Sequence, residues 1–157
     1  MKKYLLIGML TLLTHNASAA TNAQSVLNGY IKSWNSHKKA DIKNFYAPDV
    51  IWYDLANNST VKGKDKVSSA ITQYFMDYVD DMYWHKSGDS FVSGNTVIYE
   101  WVYGGTFNGK WGDQKISNKS FSLKGISTTT INDNGKIVAQ KDYYDMESFK
   151  RAIGLTP

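Results

Sequence analysis

Gly135-Lys136-Ile137-Val138-Ala139-Gln140-Lys141-Asp142-Tyr143-Tyr144-Asp145-Met146-Glu147-Ser148-Phe149 is the stretch whose reading decides how this chain folds. Just before it, Asn132-Asp133-Asn134 completes a turn signal with Gly135, because Asn, Asp and Gly tolerate positive φ. A strand follows, and its period of two sets Val138, Gln140, Asp142 and Tyr144 on one face. A carboxylate therefore stands mid-strand among aromatic residues. Burying its charge is costly unless it is paired or neutralised, so Asp142 is either a solvated surface residue or the polar tip of a purposeful pocket. Asp145, directly before Met146-Glu147-Ser148, suits the N-cap of a closing helix, since its carboxylate would accept orphan backbone N–H groups.

Upstream of this segment, the chain from Met82 onward alternates apolar and polar residues. Turn signals at Ser87-Gly88, Ser93-Gly94-Asn95, Asn108-Gly109 to Gly112 and Asn132 to Gly135 cut it into four strands. Before Met82 the period is helical. Val26, Leu27, Tyr30, Ile31 and Trp34 form one apolar stripe between Asn22 and Asn35. A short helix over about Asp41 to Tyr46 ends at Ala47-Pro48, because the residue before proline is pushed out of helical geometry. Val50 to Leu55 reads as a short strand. A further helix spans about Gly63 to Val79, with Val67, Ile71, Tyr74, Phe75 and Tyr78 on its inner face. Helices first and an antiparallel meander after them indicate an α+β fold with the helices packed on one face of a sheet.

Residues 1–19 read as a secretory signal: Lys2 and Lys3 are the charged start, Tyr4 to Leu13 the apolar run, and Ala17-Ser18-Ala19 the small-residue cleavage site. That run is too short to span a bilayer, and no later segment is apolar enough to enter one. The expectation is an exported protein, periplasmic or secreted, whose residues 20–157 form a single domain without repeats or linkers. The formal charge of +4 falls to +2 without Lys2 and Lys3, too weak to argue for nucleic acid. Cysteine is absent, which excludes thiol catalysis and disulfide staples. Only His37 and His85 remain beyond the signal, without ligand spacing, so no metal site is expected. Aromatic residues make up 14% of the chain, a content that suits a cavity with an apolar body and a few polar tips.

The run from Asn134 to Leu155 resembles the closing strand and helix of the SnoaL-like group in the nuclear-transport-factor-2-like superfamily, whose relatives include ketosteroid isomerase and limonene epoxide hydrolase. The resemblance continues weakly over residues 22 to 154. It implies a cone, in which a strongly curved antiparallel sheet wraps an N-terminal helix layer and encloses a pocket. Phe45-Tyr46-Ala47-Pro48-Asp49-Val50-Ile51-Trp52-Tyr53-Asp54 looks like the superfamily's first-strand signature. In ketosteroid isomerase the equivalent of Asp54 abstracts the proton, and the equivalent of Tyr30 donates a hydrogen bond to the developing enolate. The second acid of that isomerase aligns with Ser127, a weaker donor. Asp142 matches a catalytic aspartate of limonene epoxide hydrolase, whose remaining Arg and Asp align with Trp101 and Tyr103, so that hydrolysis is not implied. In SnoaL-type polyketide cyclases the residue matching Asp142 is the general base.

The resulting expectation is a pocket lined by Trp52, Trp101, Tyr103 and Ser127, with Asp54 and Asp142 as its ionisable groups and Tyr30 or Ser127 steadying an enolate. Structural readings stand beside these roles: Asp54 as a turn or cap residue before Leu55-Ala56-Asn57-Asn58, Tyr30 as core packing, and Asp142 as a strand hydrogen-bonding residue. Two carboxylates in one apolar pocket would titrate as a coupled pair. Three functions follow: a cofactor-free isomerase or cyclase acting on a small carbonyl compound; a noncatalytic module binding a small apolar or aromatic ligand; or a homodimeric accessory domain that pairs through its sheet.

Overall fold

The computed structural model describes residues 22–155; the expected signal segment lies outside the described residues. A helix, α1, runs through 22–34. It is followed by α2 (Lys39–Lys43), β1 (Tyr46–Asp54), β2 (Ser59–Lys62), α3 (Lys64–Phe75), β3 (Tyr83–Ser93), β4 (Thr96–Trp111), β5 (Gln114–Ile131), β6 (Ile137–Tyr144) and α4 (Met146–Ala152). The strands form one curved, unclosed sheet in the order β2-β1-β6-β5-β4-β3. Helices come first and the long meander second, as the change of period predicts, and the fold is α+β.

The expected antiparallel sheet is mixed at one junction. β1 lies parallel to β6, whereas every other neighbouring pair is antiparallel. After β2 the chain passes through α3 to the far edge and returns strand by strand, so its last strand closes beside its first. The short β2, absent from the sequence reading, is an edge strand pairing only with β1.

One turn signal, and the first part of another, prove to be irregularities inside strands. Ser87-Gly88 falls within β3, where the register with β4 shifts between Ser87 and Ser90 and Gly88 takes φ 72°. Asn108-Gly109 falls at a shift between Phe107 and Gly109, and the reversal itself comes later, at Gly112. Such interruptions bend long strands, here the 16 residues of β4 and the 18 of β5, around the helix layer. Pro48, which has no N–H to donate, sits in the part of β1 where pairing with β6 breaks between Tyr46 and Ile51.

The core lies between the concave face and the helices. α1 contributes Ala23, Leu27, Tyr30 and Trp34, all buried, at the spacing the sequence shows. α3 ends at Phe75, one turn earlier than expected, and buries Val67, Ser68, Ile71 and Thr72. The expected inner-face residues Tyr74 and Tyr78 are 53% and 38% exposed, because Tyr74 turns away from the buried stripe and Tyr78 lies beyond the helix end. The closing helix is capped as expected: Asp145 accepts hydrogen bonds from the backbone N–H groups of Glu147 and Ser148.

Candidate functional site

Strand register assembles the site at the middle of the sheet. β6 runs between β1 and β5, so Asp142 has Asp54 beside it on one side and Ser127 on the other, and Gln140 lies beside Trp52. One strand further out, Trp101 on β4 pairs with Gly125 on β5. A Cβ at position 125 would lie 2.2 Å from the Trp101 ring, so the missing side chain is what lets the indole lie across β5 toward Ser127.

Three side chains hold the Asp142 carboxylate. Trp52 Nε1 donates to Oδ2 at 2.6 Å, Ser127 Oγ donates to Oδ1 at 2.5 Å, and Gln140 Nε2 lies 3.2 and 3.1 Å from Oδ1 and Oδ2. Trp101 Nε1 in turn donates to Ser127 Oγ at 2.7 Å. The acidic side chain is 3% exposed and takes part in none of the ion pairs among the described residues, which all lie at the surface. Burial pushes its pKa up; the hydrogen bonds from Ser127, Trp52 and Gln140 pull it back, the Asp54 charge adds to the rise, and the net direction is upward.

Asp142 and Gln140 face a narrow hollow completed by Trp34, Ile71, Phe75, Trp84, Trp101 and Tyr103. Its rings meet edge to face: Trp34 with Trp84 at 4.7 Å between centroids, Trp84 with Trp101 at 5.9 Å, Phe75 with Tyr103 at 5.2 Å. The cavity volume is about 10 Å³, room for one water. Phe75 and Tyr103 also line a second hollow, with Tyr74, Trp111, Tyr144 and Phe149 among its walls. Tyr74, Trp111 and Phe149 then border a surface groove of about 200 Å³. Aromatic walls are thus shared by three neighbouring hollows between the carboxylate and the surface, with Phe75 and Tyr103 standing between the first two.

Of the residues singled out in the sequence, Asp142, Trp101 and Tyr103 line the hollow, and Trp52 and Ser127 stand behind Asp142 as its donors. Asp54 and Tyr30 are not among its lining. Asp54 is fully buried, and its carboxylate accepts from Asn57 Nδ2 at 2.6 Å, Tyr144 Oη at 3.0 Å and the Asn57 backbone N–H at 3.4 Å. Tyr30 shares a 2.7 Å hydrogen bond with the Tyr46 hydroxyl, and burial raises its pKa well above the phenol range. Gln140, Trp34, Trp84, Phe75 and Ile71 went unnamed as site residues. For Gln140 the signal was present, since it shares a strand face with Asp142; Trp34 read as core, and nothing in the local pattern marks Trp84.

No group of three or more His, Cys, Asp or Glu side chains among the described residues is arranged to hold a metal ion. No described helix is long and apolar enough to cross a membrane.

No curated protein matches this sequence. Among solved structures, a SnoaL-like protein from Shewanella denitrificans superposes with a TM-score of 0.73 at 17% identity, covering 85% of this chain and 98% of its own. Another from Jannaschia sp. gives 0.75 at 13% identity over 88% and 96%. TerC, co-crystallised with polyporic acid, gives 0.68 at 14% identity over 84% and 98%. Likeness at such low identity establishes the fold. Family membership comes from the sequence itself: the SnoaL-like polyketide cyclase pattern matches residues 24–153, nearly the whole described chain, and this protein belongs to that family.

Proposed function

We propose that this protein is a cofactor-free isomerase or cyclase in which Asp142 is the general base toward a small aromatic carbonyl compound. One observation carries the reading: a carboxylate without a cationic partner among the described residues, held in place by Trp52, Ser127 and Gln140, faces an aromatic hollow, and its burial there raises its pKa. A carboxylate made more basic by burial, yet still oriented by hydrogen bonds, is suited to taking a proton from carbon. Asp142 would accept the proton beside the carbonyl as that C–H bond breaks. The electron pair moves into the new C=C bond and the carbonyl becomes an enolate; where that enolate is conjugated to a further C=C bond, Asp142 returns the proton at its far carbon and isomerises the substrate, and where the enolate carbon attacks a second carbonyl and closes a ring, Asp142 returns the proton to the alkoxide oxygen so formed. The family supports an isomerase, cyclase or ligand-binding role in general terms.

Acetophenone in D₂O tests this directly, because deuterium entering its methyl group reports proton abstraction without a need for the native substrate. Asp142→Asn should abolish protein-catalysed exchange; undiminished exchange in that variant removes the base. Saturable acetophenone binding without exchange would favour the noncatalytic module.

In the same proposal the reaction takes place outside the cytoplasm, after residues 1–19 are removed, and cell fractionation with an antibody to the mature chain checks it. Pairing of two copies through the sheet belongs to it as well. Phe91, Ile98 and Ile126, exposed on adjacent strands, would supply the contact, and light scattering reads it.

A further inference from the structure

A base that generates an enolate leaves negative charge on oxygen, and that charge needs donors aimed at it. The donors named from the sequence are already spent. Ser127 gives its single hydroxyl proton to Asp142, and Tyr30 shares its own with Tyr46. Around the hollow, Trp101 Nε1 is taken by Ser127, Gln140 Nε2 by Asp142, and the Tyr103 hydroxyl by the Phe75 carbonyl at 2.9 Å. Besides the second N–H of the Gln140 amide, of which Asp142 takes one, the lining residues have two donors left, the indole nitrogens of Trp34 and Trp84. Both are buried and neither has an acceptor among the described residues.

Buried donors are seldom left unpaired, because each forfeits its hydration for nothing. Here the two indoles come from different elements, α1 and β3, and their rings sit 4.7 Å apart. Their relative placement is secured next door: Asn35 donates through Nδ2 to the Trp84 carbonyl at 2.8 Å, and its Oδ1 accepts from the Trp84 N–H at 3.2 Å. The residue that follows Trp34 is thus clamped to the backbone of Trp84. Such a pair asks for an oxygen. A methylated ammonium, which aromatic walls alone would also suit, would leave both N–H groups orphaned.

We propose that the indole N–H groups of Trp34 and Trp84 bind the ligand's carbonyl oxygen, with Asn35 as the positioning residue. This rests on the reading of Asp142 as the base and supplies what that reading lacks, a home for the developing oxyanion. The ligand is then an aryl carbonyl compound: its oxygen enters the hollow, whose space is that of about one water, and its ring takes the neighbouring hollow, with Phe75 and Tyr103, the walls the two share, moving aside to admit it.

The experiment is a titration of ¹⁵N-labelled protein with acetophenone and, separately, with α-methylstyrene, which has the same shape but carries CH₂ in place of the oxygen. Acetophenone should move the Trp34 and Trp84 indole N–H resonances downfield and leave that of Trp52, already bonded to Asp142, in place; α-methylstyrene should produce no downfield shift. Trp34→Phe and Trp84→Phe, which keep a ring and lose the N–H, should each weaken acetophenone binding roughly five- to tenfold while leaving α-methylstyrene within about twofold. The titration of the unaltered protein stands even if a variant fails to fold. Equal shifts with both compounds, no shift at all, or a Trp84 signal shielded by the Trp34 ring and unmoved by acetophenone would overturn the proposal. Asp142→Asn keeps the two ideas apart: indole shifts that persist while exchange is lost support both, and exchange that survives beside intact shifts removes only the base.

Discussion

Ser127 gives its hydroxyl proton to Asp142 because Trp101 occupies the other side of its oxygen. The indole N–H of Trp101 donates to Ser127 Oγ at 2.7 Å, and Ser127 Oγ donates to Asp142 Oδ1 at 2.5 Å, so the hydroxyl rotor is set by its neighbours. The relay crosses three strands and ends on a carboxylate that no cation among the described residues neutralises.

Ser127→Ala should therefore act on the acid as well as on the fold. It removes a bond that favours the ionised form and strands the Trp101 N–H, at a cost of about 1–3 kcal/mol. Denaturant unfolding should show a larger loss where Asp142 is ionised than where it is protonated, since the missing bond matters more to the carboxylate than to the carboxylic acid. The acid limb of any pH–rate profile should move to higher pH.

Asp142 itself makes stability depend on pH with a definite sign. Its pKa is raised in the folded protein, so between the ordinary carboxylate value of about 4 and the folded value the native state holds more protons than the unfolded one. Over that window stability falls as pH rises. Asp142→Asn removes the contribution, so the variant should gain stability relative to the parent as pH increases from about 4 to the folded pKa of Asp142. Parallel unfolding curves across the pH range check it; a constant difference between the two proteins would mean that Asp142 keeps its unfolded pKa.

Gly125→Ala tests the placement of Trp101. The added methyl would fall 2.2 Å from the indole, well inside contact distance, and the ring must move away from Ser127. Overpacking of this kind costs roughly 1–3 kcal/mol. The near-ultraviolet circular dichroism of the tryptophan cluster should change, and exchange at the site should fall although no hydrogen-bonding group has been deleted.

How far the sequence foretells this site depends on the distance over which each relationship is set. The face shared by Gln140 and Asp142 is a local matter of strand period, and the Asp145 cap a local matter of side-chain reach; both were legible. The α1 stripe was legible too, yet it could not say which of its buried rings faces the core and which the hollow. Tyr30 and Trp34 stand four residues apart on one helix; the first bonds Tyr46, and the second lines the site. That choice rests on the sheet's curvature and on Trp84 arriving from β3, 50 positions further on. Ser87-Gly88 and Asn108-Gly109 have turn composition but are absorbed into strands, because partners on the neighbouring strand continue the ladder past them. The parallel seam between β1 and β6 has no local signature, since it depends on where the last strand finds room.

Asp54 and Asp142 sit side by side on β1 and β6 and should nevertheless behave differently when neutralised. Asp54 is taken up by Asn57, three residues on, and by the Tyr144 hydroxyl, and it does not line the hollow. Its charge reaches Asp142 only as one contribution to the raised pKa. Asp54→Asn keeps an oxygen to accept from Asn57 or Tyr144 but weakens charge-assisted bonds, so a stability loss of about 1–2 kcal/mol is expected. Acetophenone exchange should stay within a few-fold of the parent, with its acid limb moved to lower pH, because a neighbouring negative charge has been removed. Asp142→Asn should instead abolish exchange. Side-by-side exchange rates and pH profiles decide the matter, and equal loss in both variants would mean that the two acids act as one catalytic pair.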